Sequence, residues 1–239
     1  MRIEPRPVLI DEVYDRLKQA ILAGELAAGA PLAQEPLAAR LGVSRQPVSH
    51  ALRLLLSEGL VTERGRRGLM VAPIEPDRLR DLYRVRAALD ALAARLAAER
   101  AAGGAVVDLS ACLSQGRAAL ADGELGRLIA ADVAFHRAVY AASGNSAIAE
   151  TAEAAWPHFQ RSMGLVLGDP DYGARAWREH AAIAEAVGRG QAERAETLAR
   201  AHAEQAGEAT WRRLSAEVAP AAESASGPET DPETDNKAA

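Results

Sequence analysis

The stretch "AQEPLAARLGVSRQPVSHALRLLLSEGL", residues 33–60, decides the fold of the N-terminal part of this chain. Pro36 to Leu41 predicts a short helix, Gly42 and Val43 supply a turn, and Ser44 stands where a hydroxyl can cap a further helix running to about Glu58. On that second helix Val48, Ala51, Leu52, Leu55 and Leu56 repeat along one side, while Arg45, Gln46, Ser49 and Arg53 fall toward the other. The pattern is a helix-turn-helix whose polar face stays open to a partner, and the N-terminal end of its second helix is the end that enters a DNA major groove.

Working outward, "LIDEVYDRLKQAILAGEL" (9–26) repeats Val13, Leu17, Ala20, Ile21 and Leu26 at helical spacing, with Gly24 as the stop signal. Downstream, "LVTER" and "LMVAP" read as two β-strands joined by "GRRG" (65–68), a hairpin with Arg66 and Arg67 at its tip and Arg64 beside it. A basic tip on a narrow hairpin suits the electronegative minor groove, where arginine gains from focused potential rather than from base-edge hydrogen bonds. The expected DNA contacts are therefore Arg45, Gln46, Ser49, His50, Arg64, Arg66, Arg67 and Gly68. His50 suits a surface or backbone contact better than base reading. Use of the whole module for protein contacts is the alternative.

The chain's 239 residues carry a formal charge of −5, which argues against nucleic acid until the charge is divided along the sequence. Residues 1–75 hold ten Lys/Arg against nine Asp/Glu, and residues 217–239 hold one against six, so the acidity lies in the tail. Residues 216–239, rich in Pro, Ser, Glu and Asp, are expected to be a disordered acidic tail. Hydrophobic residues make up 49% but aromatics only 4%, and alanine and leucine dominate, so an all-helical body is expected. One cysteine, no signal peptide and no apolar run of about 20 residues imply a cytoplasmic protein without membrane contact.

After the linker "APIEPDR", six helical segments are expected near 77–101, 106–121, 124–143, 146–167, 172–188 and 191–214, with a kink or break at Pro157. On the third, Leu125, Leu128, Ile129, Asp132, Phe135, His136 and Val139 share one stripe, so two polar groups sit on the face that should be buried. His180 shares the inward stripe of the fifth with Trp177, Ile183 and Val187; His202 does the same on the sixth with Ala195, Leu198, Gln205 and Ala209. An unpaired buried carboxylate and three unpaired imidazoles are costly, and a shared cation on Asp132, His136, His180 and His202 removes the cost. Satisfied core histidines are the plainer reading of each residue taken singly. Three nitrogens and an oxygen suit zinc first, then nickel, cobalt, iron or manganese. Arg86 shares a stripe with Leu79, Leu82, Leu89 and Ala93 and so points inward, either to an anionic effector or to Asp90 one turn away. His158 and Arg161, beside Pro157, are further candidates to line the effector pocket.

The residues 20–61 together with "RRGLMV" (66–71) resemble the winged helix-turn-helix of the GntR family of bacterial transcription regulators. Where that family usually reads close to "SRTPVREAL", this chain has "SRQPVSHAL": Arg45 is kept, but Ser49 and His50 replace an Arg and a Glu. The operator is therefore expected to differ, because a bidentate guanine contact is worth ~1–3 kcal/mol of discrimination. "DVAFHRAVYAASGN" and "REHAAIAEAVGRGQAERAETLARAH" resemble the effector (FCD) domain of the family's FadR-type members, and the six segments resemble its VanR-like subgroup. The resemblance implies a divalent metal on Asp132, His136, His180 and His202, a small carboxylic acid docking on it, and Arg86 beside the effector.

The expected architecture is mainly α: a winged helix-turn-helix DNA-binding domain (1–75), an antiparallel helical bundle for metal, effector and dimerisation (76–215), and the tail. The expected function is a homodimeric, acid-responsive regulator on a palindromic operator in double-stranded DNA, more often repressor than activator. A metal-dependent hydrolase or isomerase with an accessory winged helix is the alternative, weakened by the lack of any acid or base placed beside the ligands. A purely structural metal is a third reading.

Overall fold

The computed structural model describes residues 8–223. Three helices, α1 (Val8–Leu22), α2 (Gln34–Leu41) and α3 (Arg45–Ser57), close around Val13, Leu17, Leu37, Val48, Leu52 and Leu55. The turn between α2 and α3 needs Gly42, which stands at φ +67° as the α2 cap. Gly42 and Val43 then donate to the Ala39 and Ala38 carbonyls. Ser44 occupies the cap position before α3, but its hydroxyl makes no capping bond, against expectation. Pro47 falls in the first turn of α3, where its missing N–H leaves no gap.

The sheet has three short antiparallel strands in the order β1-β3-β2: β1 (Pro31–Leu32), β2 (Val61–Glu63) and β3 (Leu69–Val71), with Met70 opposite Thr62 on one side and Pro31 on the other. The β2–β3 hairpin is the predicted wing. Its tip is a turn of 3₁₀ helix, Gly65–Arg67, opened by Gly65 at φ +53° and followed by Gly68 at φ +97°.

The rest is helical: α4 (Pro76–Ala102), α5 (Ser110–Asp122), α6 (Leu125–Ser143), α7 (Ser146–Glu153), α8 (Trp156–Leu167), α9 (Pro170–Gly188) and α10 (Ala192–Glu223). That makes seven helices among the described residues where six segments are predicted. The predicted fourth segment is divided at Ala154 and Ala155 because Pro157, with no N–H to give, can only open a new helix. A likeness to a six-helix subgroup loses its count on that break. α10 also runs on to Glu223, so residues 216–223 are helical rather than tail; residues 224–239 lie outside those described.

α4 and α10 pack along most of their length through small residues, with Ala94, Ala97, Ala98, Ala195, Ala199 and Ala203 all buried. At Gly207 an added Cβ would stand 2.5 Å from Tyr83 Cβ, so glycine alone permits that approach. This close seam, with α6, α8 and α9 around it, encloses Arg86, Asp90, Asp132, His136, His180 and His202, each at most 5% exposed.

Candidate functional site

α6 carries Asp132 and His136 one turn apart, α9 carries His180, and α10 carries His202. The helical period turns each into the same interior point, and one donor atom from each lies within 4.8 Å of the others. Nε2 of His180 and Nε2 of His202 are 3.1 Å apart; Asp132 Oδ1 lies 3.5 Å from His180 Nε2 and Oδ2 lies 3.8 Å from His136 Nε2. The four residues expected from sequence do meet.

Behind them stand two carboxylates that the sequence did not single out as partners of histidines. Asp90 on α4 lies 3.2 Å from His136 Nδ1, and Glu179 on α9 lies 2.7 Å from His202 Nδ1. A carboxylate accepts from the tautomer protonated at Nδ1, which leaves the Nε2 lone pair facing the cluster. Asp90 also accepts from the Tyr140 hydroxyl and, at 3.3 Å, from Arg86 Nε. Trp177 stands edge-on to His180 with ring centres 4.8 Å apart, and Trp156 lies 5.9 Å from His136. The Trp177 indole fills the space over Gly116 that a Cβ would occupy, and its Nε1 donates to the Leu113 carbonyl.

Burial holds His136 below the ordinary imidazole pKa; Arg86 acts in the same direction, and Asp90 opposes both. His180 is held further down, by burial first and then by His202, His136 and Arg86. Both rings are thus kept neutral, the form that offers a lone pair. Burial opposes the charge on Asp90, but His136 and Arg86 outweigh it and keep this carboxyl well below the usual range. With His136 neutral, its share reduces to the hydrogen bond, and the Arg86 guanidinium supplies the charge.

The donor set fits a divalent cation. Bonds of ~2.1 Å place neighbouring ligands of a tetrahedral ion ~3.4 Å apart and opposite ligands of an octahedral one ~4.2 Å apart, near the separations seen. His136 Nε2 and His180 Nδ1 are buried without a hydrogen-bond partner among the described residues, and the first of these faces the cluster. The space beside the ligands, bordered by Tyr83, Arg86, Asp132, Tyr172 and His202, measures about 20 Å³, room for about one water.

Arg86 makes the internal ion pair with Asp90 that was one of its two expected roles, yet it also borders this space. Its guanidinium lies 4.8 Å from the Trp156 ring and 5.1 Å from Phe159. His158 and Arg161 correct an expectation: neither borders the space beside the four ligands. They face the winged helix instead, with His158 Nε2 3.2 Å from the Glu58 carbonyl at the end of α3 and Arg161 Nη2 donating at 2.6 Å to the Ala72 carbonyl just past β3. Proline starts α8 so that positions 158 and 161, one turn apart, look toward the other domain.

At the far end of the molecule Arg45, Gln46 and His50 are exposed on α3, and Ser49, partly covered, accepts from Arg53 at 3.3 Å. Arg64, Arg67 and Gly68 are exposed at the wing, and Arg67 and Gly68 share one shallow cleft with Arg45. The helix start and the wing tip therefore share one surface, on which Arg45 and Arg67 outnumber Glu35. The backbone of Arg66 lies in the 3₁₀ turn; its side chain is outside what is described.

Residues 9–71 match the family described as bacterial regulatory proteins, gntR family, and residues 81–205 match the FCD domain. The chain is 36% identical over 196 residues, 80% of each protein, to a Streptomyces ambofaciens protein named as an HTH-type transcriptional regulator in an unstable DNA locus. It is 31% identical over 221 residues, 81% of this chain and 83% of the other, to an Escherichia coli (strain K12) protein that bears the name of an L-lactate dehydrogenase operon regulatory protein. Its fold is similar to that of a GntR regulator from Rhodococcus sp. RHA1, with a TM-score of 0.72 at 22% identity over 87% of this chain and 98% of that one. These relatives are DNA-binding regulators, which removes the hydrolase and isomerase readings. No helix among the described residues is long and apolar enough to cross a membrane. The chain belongs to the GntR family of bacterial transcriptional regulators, in the FadR-type branch that joins a winged helix-turn-helix to an FCD domain.

Proposed function

We propose that this regulator works in the cytoplasm as a homodimeric repressor on a palindromic operator, and that a small carboxylic acid acting at a divalent ion, zinc first among the candidates, changes its hold on DNA. Residues 1–75 are the reading unit, with Arg45, Gln46, Ser49 and His50 toward the major groove and Arg64, Arg66, Arg67 and Gly68 toward the minor groove. Residues 76–215 are the sensing and pairing unit, in which Asp132, His136, His180 and His202 hold the ion. The observation that carries the reading is the set of four buried donors, two of whose imidazoles are oriented by carboxylates.

When bound, the ion supplies a positive centre for a carboxylate in an interior whose guanidinium, Arg86, is already paired with Asp90. Asp90 and Glu179 keep two of its ligands in the right tautomer, and Arg86 stands beside the same space. The acid acts only in so far as it favours one arrangement of the paired domains over another. That an E. coli relative is named for an L-lactate dehydrogenase operon supports a small acid as the signal.

The test joins elemental analysis to a mobility shift on DNA from upstream of the protein's own gene. The purified protein should carry about one divalent ion per chain, His180→Ala should carry none, and small 2-hydroxy and dicarboxylic acids should change operator affinity in the first alone. A wild-type protein that takes up no ion when zinc is supplied, or a His180→Ala protein with the full acid response, defeats the proposal. Unfolding of the body on chelation would make the ion structural.

A further inference from the structure

The space beside the four candidate ligands is too small for an organic acid as it stands. Ligand-sized space lies elsewhere along Arg86. A cleft of about 330 Å³ opens between α4, the α7–α8 turn and the end of α3, with Arg86 among its lining residues; small-ligand sites begin at about 300 Å³.

Its chemistry is two-sided. Along α4, Leu82, Val85 and Leu89 line it at helical spacing, and Phe159 adds an aromatic wall. Val85 is 56% exposed, an apolar side chain left to water among the described residues. Arg78 lines the cleft without an acidic partner among the described residues, whereas Glu58 is held by Lys18 at 2.9 Å and by the Tyr14 hydroxyl, Arg86 by Asp90, and His158 by the Glu58 carbonyl. One free cation, Arg78, therefore stands next to an uncovered apolar strip. The complementary ligand is one negative charge on an apolar body.

We propose that this cleft is a second binding site, separate from the metal centre, for an amphipathic monocarboxylate such as an aryl or medium-chain alkyl acid. The carboxylate meets Arg78 at the mouth, and the apolar body lies along Leu82, Val85 and Leu89. The site reaches both domains. Glu58 closes α3 and offers its carbonyl to His158, and a further cleft of about 530 Å³ shares Arg78, Leu82 and His158 and continues under the wing past Arg161. An occupant touches the body and the reading head at once, so its affinity depends on how they are set, and by linkage it biases operator binding. No ion is needed for this.

Isothermal titration of full-length protein with benzoate and octanoate, in EDTA and again after zinc loading, tests it; benzyl alcohol, octanol and phenyl phosphate are the comparisons. Saturable binding of at least one acid is expected in both conditions, with the alcohols much weaker. Val85→Glu puts a better helix former at an exposed position but sets a like charge in the cleft. It should weaken the acid by at least about tenfold, since like charges brought together cost more than the ~1.4 kcal/mol a tenfold change represents. Arg78→Gln should weaken it by about fivefold, the scale of an exposed ion pair. Melting curves of both variants should match wild type. The proposal is overturned by the absence of binding to zinc-loaded protein, by its absence in EDTA where the melting curve shows the protein still folded, by equal binding to Val85→Glu, by alcohols that match the acids, by phenyl phosphate binding more tightly than benzoate, or by a change of oligomeric mass in Val85→Glu, which would mean that a second copy covers the strip. Failure of the metal reading is read separately, because binding by folded protein in EDTA involves no ion.

Discussion

The reading head and the helical body use polar residues in opposite ways. In the head, Arg45, Gln46 and His50 point to solvent, the core beneath them is Val48, Ala51, Leu52 and Leu55, and no charged residue is buried there among the described residues. In the body, Arg86, Asp90, Asp132 and three histidines point inward, and alanine fills much of the remaining core. The head's polar groups can be changed without disturbing what holds it together. Arg86 and His136 are both partners of Asp90, so removing Asp90 leaves the other two buried without compensation.

The sharpest break of that contrast is Asp90→Ala. It strands the Arg86 guanidinium, the Tyr140 hydroxyl and His136 Nδ1 in a buried interior. Losing one member of a buried pair costs ~3–5 kcal/mol, and urea unfolding of the variant should show a loss of that size. A loss within the ordinary range of surface substitutions, about 0.5 kcal/mol, would mean that the inward network is not held together as described.

Arg45→Ala is the counterpart in the head. Its unfolding midpoint should stay at the wild-type value while operator binding weakens by ~1–3 kcal/mol, about 5- to 150-fold, in a fluorescence anisotropy titration. A fall in stability without a fall in affinity would reverse the roles assigned to the two regions.

The smallest effect concerns the junction. Burial holds the His158 pKa below the ordinary 6.5; Arg161 and Arg78 act in the same direction, and the bond to the Glu58 carbonyl and the Glu58 charge oppose them. The folded state thus takes up this proton less readily than the unfolded one. Stability from this residue is full above about pH 6.5 and drains as the pH falls below it, toward the lower folded value. His158→Gln keeps a donor for the Glu58 carbonyl but cannot titrate. Unfolding measured from pH 7.5 to 5 should therefore be slightly less pH-dependent in the variant, and an identical slope would show that the ring is free to protonate in place.

What the sequence revealed and what it hid divide along the same line. Asp132 and His136 were legible because four residues make one helical turn, and His180 and His202 because each lies on an apolar stripe of its own helix. Such inferences need only the period of one helix. Asp90 was legible as a partner for Arg86, four residues away, but its bond to His136 depends on how α4 meets α6. Glu179 is one residue from His180, about 100° around α9, and only the pairing of α9 with α10 turns it to His202. His158 and Arg161 share a face by spacing, yet what lies opposite that face is the other domain. β1 is two residues long, too short to leave a pattern, and becomes a strand by pairing with β3.

Two of the chain's three tryptophans adjoin the histidine cluster, and the third, Trp211, donates to Asp77 near the start of α4. The Trp177 ring is seated over Gly116 and buried. Ultraviolet emission from this molecule should therefore come chiefly from within contact range of the four donors, and an open-shell cation arriving there would dim it. The protein comes with its own optical gauge for what enters its interior, with no dye attached.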